Sequence, residues 1–147
     1  MQRLIEMIDF LTPYKVTSEN TLVSEPRANI GAQNTSVILQ GKLSTGHYGK
    51  RNFKYNRINL SGFVERSLVW TNETNVHQLL KQINQVVLFT YTLSDADETI
   101  VRQGQLELSD IVNDTFTMSA GTQKSIKLRA DPRSYLFIGE YKVKLIG

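Results

Sequence analysis

The sequence contains no cysteine, which excludes a disulfide framework, thiolate zinc or iron–sulfur ligation, and any thiol nucleophile. Histidine is almost as scarce. His47 and His77 are the only two, and neither has a partner at metal-ligand or triad spacing. No plain apolar run exceeds four residues, as in Val86–Phe89, whereas a membrane-spanning helix needs about 20. Residues 1–11 carry Glu6 and Asp9 where a signal peptide keeps an unbroken apolar stretch, so they are expected to be mature sequence. Four Asn-x-Ser/Thr sites, at Asn34, Asn59, Asn72 and Asn113, then follow from a chain rich in Asn, Ser and Thr. No Walker loop, dinucleotide fingerprint, nucleophile elbow or HExxH is present. The expectation is a non-enzymatic chain without metal, cofactor or membrane partner.

Hydrophobic residues make up 40% of the 147 positions and charged residues 21%, close to ordinary globular usage. Leu4, Ile5, Ile8 and Leu11 recur at helical spacing, which predicts a short amphipathic helix over 3–11, ended by Thr12-Pro13. A helix this short needs a surface, either the rest of the chain or a neighbouring subunit. Tyr14 to Asn34 is mostly polar without a sustained period and is expected as an extended arm, dividing the chain into 1–34 and a single β-rich domain over 35–147.

Within that domain, Ser36–Leu43 and Asn52–Leu60 read as strands, and the phase change between Tyr55 and Ile58 predicts a bulge near Asn56. Phe63–Trp70 is a further strand. Thr71–Thr74 supplies capping side chains before Val76, Leu79, Leu80, Ile83 and Val87, which predicts a helix over 75–85 packed on a sheet. Val86–Leu93 and Thr99–Leu108 form a hairpin pattern, Ser109–Asn113 a capped turn, Asp131–Ser134 a type I turn, and Ser125–Ala130 and Tyr135–Ile146 alternate as strands. The fold class expected is α+β: β-rich, a mainly antiparallel sheet or sandwich with one packed helix, plus the N-terminal helix and arm.

Charge is unevenly placed. The total is only +3, but residues 47–57 hold four bases (Lys50, Arg51, Lys54, Arg57) and no acid, interleaved with Tyr48, Phe53 and Tyr55. Cations and rings together suit nucleic acid, while alternation on a strand equally suits core on one face and charge on the other. Residues 95–114 hold six acids against Arg102, with Asp95, Asp97 and Glu98 the tightest cluster. An EF-hand would need Gly and Glu where Ile100 and Leu106 stand. Residues 124–147 hold six bases against Asp131 and Glu140. Opposed patches of this kind suit repeated contacts between copies. The candidate interaction residues are therefore Leu4, Ile8 and Leu11 of the helix, the four bases of 47–57, and Asp95, Asp97 and Glu98. A host-surface or glycan module using Tyr48 or Trp70 is a further alternative.

Tyr55-Asn56-Arg57-Ile58-Asn59-Leu60, the capped helix with Leu79-Leu80 and Ile83-Asn84, Leu108-Ser109-Asp110-Ile111-Val112, and Ile126–Ala130 followed by Ser134, Gly139 and Val143-Lys144-Leu145 form one series. From 55 to 147 this series resembles small domains of virion structural proteins of large tailed bacteriophages. The resemblance implies a non-catalytic particle component, in head, neck, tail or baseplate. It would be assembled in the host cytoplasm in multiple copies with other virion proteins. It carries no catalytic residue.

Overall fold

The computed structural model describes residues 1–12, 15–46, 49–94 and 98–147. The chain is β-rich, with short helices and mainly antiparallel pairing, and divides into two compact units. The first comprises Met1–Arg57 and Tyr91–Arg102, the second Ile58–Thr90 and Gln103–Gly147.

In the first unit, helix α1 (Gln2–Leu11) buries Leu4, Ile5, Met7 and Ile8, the face set by their three- and four-residue spacing. It stops where the Thr12 amide and hydroxyl both donate to the Ile8 carbonyl, at 3.0 and 2.9 Å. The polar run expected as an extended arm is folded back as β1 (Thr21–Val23) and β2 (Arg27–Ala28). Both lie antiparallel along one edge of β3 (Thr35–Gly41), whose other edge takes β4 (Lys50–Tyr55), also antiparallel. Side chains substitute for apolar period here. Ser24 donates its amide to the Ile38 carbonyl and accepts the Ile38 amide on its hydroxyl, and the Asn29 carboxamide donates to the Gln33 carbonyl at 2.8 Å. Such side-chain-to-backbone bonds hold short strands that no hydrophobic alternation announces. The expected division between residues 34 and 35 therefore lies inside a sheet.

The phase change expected as a bulge near Asn56 is the end of β4 and a passage from the first unit to the second. Asn34 clamps this point: its carboxamide donates to the Arg57 carbonyl at 3.1 Å and accepts the Arg57 amide at 2.8 Å. Then β5 (Ile58–Asn59) begins, followed by β6 (Arg66–Val69).

The second unit contains the expected helix as a 3-10 turn, Val76–Leu79, running into α2 (Leu80–Val86). Asn75 caps it by accepting the Gln78 amide at 3.2 Å, and Val76, Leu79, Leu80 and Ile83 are buried. The paired strands β7 (Phe89–Ser94) and β8 (Thr99–Gly104) run from this unit into the first. Next come β9 (Gln123–Arg129), β10 (Phe137–Ile138) and β11 (Glu140–Ile146). β11 is central, antiparallel to β9 and parallel to β6, while β10 pairs in parallel with β5. Ile126 and Leu128 of β9 and Tyr141, Val143 and Leu145 of β11 point inward by simple alternation. Phe89 sits at the hub, edge-on to Phe63, Phe137 and Tyr141 with ring centroids 4.8, 5.7 and 6.1 Å away, an arrangement favoured by ring quadrupoles.

A buried polar knot fastens the loops over this core. Asp110, 2% exposed, accepts the Glu107 amide at 2.9 Å and the Ser134 hydroxyl at 2.7 Å. Ser134 in turn accepts the Phe137 amide, and the Ser134 amide closes the expected turn on the Asp131 carbonyl at 2.9 Å.

Candidate functional site

The antiparallel register of β1 to β4 builds the outward face of the first unit as a grid. Leu22, Gln40 and Lys50 form one row, Ser24, Ile38 and Asn52 the next, and Arg27, Ser36 and Lys54 the third. The alternate residues Thr21, Val37, Leu39 and Tyr55 are buried. A strand rises about 3.3 Å per residue, so Lys50 and Lys54 stand about 13 Å apart on one side of β4. The face holds an open depression of 410 Å³ lined by Ser24, Arg27, Ser36, Ile38, Lys50, Arg51 and Asn52, among others, with no carboxylate among the described residues that line it. Ile38 and Leu22 remain 45% and 52% exposed within it and beside it. Among the described residues, Arg27, Lys50 and Lys54 make no ion pair.

The four bases of 47–57 thus separate. Lys50 and Lys54 share the outward face. Arg51 alternates to the side of Phe53 and Tyr55, whose rings stack at 5.9 Å. Arg57 is only 8% exposed and donates its Nε–H to the Thr35 hydroxyl at 2.8 Å. Burial pushes its guanidinium below its ordinary pKa, with Tyr55 acting in the opposite sense. Arg57 is a structural cation here, not a surface contact. The pleat sets Lys50 and Lys54 on the side opposite Phe53 and Tyr55, while Arg51 shares the side of the rings, of which Tyr55 is buried.

Leu4 and Ile8, expected at a docking surface, are fully buried, and Leu11 is half-buried. The apolar side of α1 is covered by the chain itself, which is the surface so short a helix requires. Asp95 and Asp97, with His47 and Tyr48, lie outside the described residues; Glu98 is exposed. Trp70 is half-buried and donates its indole N–H to the Glu73 carbonyl at 2.8 Å. His77 holds the Ile111 carbonyl at 2.7 Å from Nε2, a bond that places the proton on that nitrogen. No group of three His, Cys, Asp or Glu suited to a metal occurs among the described residues.

The other two charge patches are partly neutralised within the chain. Arg129 grips Asp114 in a two-pronged pair at 2.7 and 2.9 Å, Arg133 pairs with Asp131 at 3.3 Å, and Lys127 with Glu140 at 3.6 Å. The hydrogen bonds from Arg129 and Arg133 hold the carboxyls of Asp114 and Asp131 below the usual carboxylate range. Asp110 is buried in its knot. Among the described residues, the face carrying Arg27, Lys50 and Lys54 forms no ion pair, as is also true of Lys124, Lys142 and Lys144 in the second unit. Composition pointed to Lys50 and Lys54. It missed Arg27, which reaches the same face from a two-residue strand with no pattern of its own.

A model of a family of unknown function (DUF7941) matches residues 7–147. The chain belongs to that family. No curated protein and no solved structure matches it. The matched span contains β1 to β4 and the whole second unit, so the basic face belongs to the family domain.

Proposed function

We propose that this protein is a non-catalytic structural component of a tailed-bacteriophage particle, located in the virion and assembling there with other virion proteins. The observation that carries the reading is the exposed sheet face with three uncompensated cations and accessible aliphatic side chains, a surface suited to contact with another protein. The series of motifs from Tyr55 to Leu145 and its resemblance to virion domains direct that contact to a particle.

The test is the composition of particles from the virus that encodes the chain, purified through a density gradient and analysed by quantitative mass spectrometry. The reading requires the chain at a fixed, whole-number ratio to the other structural proteins, and incomplete particles when its gene is interrupted. Complete, infectious particles lacking the chain would overturn it.

A further inference from the structure

We infer that the edge strand β4 and its outward face dock an extended acidic segment of a partner protein by strand addition. This rests on the assembly reading and names the surface and the chemistry of what it accepts.

β4 pairs only with β3 among the described residues, so its other edge ends the sheet. The Gly41 amide donates to the Gly49 carbonyl at 3.1 Å, which sets the phase of the antiparallel ladder. Residues 51, 53 and 55 turn their backbone groups to β3, and Lys50, Asn52 and Lys54 turn theirs to the open edge. The residues with outward backbone are thus the ones whose side chains stand on the basic face. A strand laid along this edge would find backbone donors and acceptors at three alternate positions. Its own side chains would lie opposite Lys50, Asn52 and Lys54, and carboxylates there make favourable cross-strand pairs.

A second copy of β4 is disfavoured in the register centred on Asn52. Antiparallel pairing centred on Asn52 would set each Lys50 against a Lys54, and like charges directly opposite destabilise a strand pair. Edge lysines guard against self-pairing in this way while leaving the edge open to an acidic strand. Single-stranded nucleic acid would meet the cations but, among the described residues of β4, no ring on which to stack, since Phe53 and Tyr55 belong to the other side.

The full chain is titrated with a fluorescent ten-residue peptide alternating glutamate with valine and threonine. A lysine-containing counterpart and a 20-nucleotide single-stranded DNA are titrated in parallel. The expected result is binding of the glutamate peptide alone, weakening as salt rises, with slower amide exchange at Lys50, Asn52 and Lys54 in the complex. The double variant Lys50→Glu/Lys54→Glu should lose at least tenfold in affinity with an unchanged thermal midpoint, and Lys50→Ser/Lys54→Ser should fall between. Equal affinity in the double variant, binding without amide protection, or tighter binding of DNA overturns the inference. So does salt-sensitive self-association of the free chain that the double variant abolishes, which would make a second copy the occupant. Particle composition tests the assembly reading independently, so a chain found in particles whose β4 edge ignores the acidic peptide refutes only this inference.

Discussion

Two carboxylates illustrate how single residues govern this molecule. Asp110 is buried with its oxygens committed to the Glu107 amide and the Ser134 hydroxyl. Asp110→Ala strands both donors, and the unfolding free energy from urea titration should fall by about 2–3 kcal/mol. Glu73 works at the surface of a turn. Partial burial raises its pKa, but hydrogen bonds from the Thr71 amide and hydroxyl and the Asn72 amide outweigh this and hold it below the carboxylate range. A depressed folded-state pKa gives stability that is present above the unfolded value, about 4.3, and lost as pH falls through the folded value. Glu73→Gln should therefore lower the thermal midpoint at about pH 7, and the gap should close by about pH 2.

At the scale of elements, the turn between β10 and β11 depends on Gly139, at φ +81°. A β-carbon there would collide with the Asn59 carboxamide, which already accepts the Ser61 amide and hydroxyl. Gly139→Ala combines a left-handed backbone penalty with that collision, and should cost at least about 2 kcal/mol in chemical unfolding. Elements with a hydrophobic period were legible in the sequence: the series Val76, Leu79, Leu80, Ile83 marked the helix, and Tyr141, Val143, Leu145 marked β11. β1 and β2 were not, because Ser24 and Asn29 hold them through bonds that leave no periodic trace. The candidate site was legible to the same degree. Lys50 and Lys54 stood out by composition, Arg27 needed the register of β2 on β3, and the burial of Arg57 depended on Thr35, 22 residues earlier in the chain.

The whole molecule is two units threaded by one chain that passes between them three times, after residues 57, 90 and 102. Removing residues 1–34 takes away α1 with its buried Leu4 and Ile8, and strips one edge of β3 of β1 and β2. In hydrogen exchange, the 35–147 fragment should lose protection at Ile38 and Gln40, whose amides face the removed strands, but keep it at Ile126, Leu128, Val143 and Leu145. Retained protection in β3 would show that residues 1–34 are dispensable for the first unit. Two units also make a single melting temperature an incomplete description, and local probes are the better measure.

The parallel pairing of β6 with β11 joins Arg66 to Val143 and Leu68 to Leu145, partners 77 positions apart. A ribosome adds roughly 5–20 residues per second, so β6 waits several seconds before the strand that covers it exists. Until then Leu68 and the apolar side of α2 lack β11, and the nascent second unit exposes core surface while the first can already bring β1 to β4 together. The order of synthesis thus makes the β1 to β4 sheet early and the second unit late, and the interval between them is when the nascent chain has most need of a chaperone.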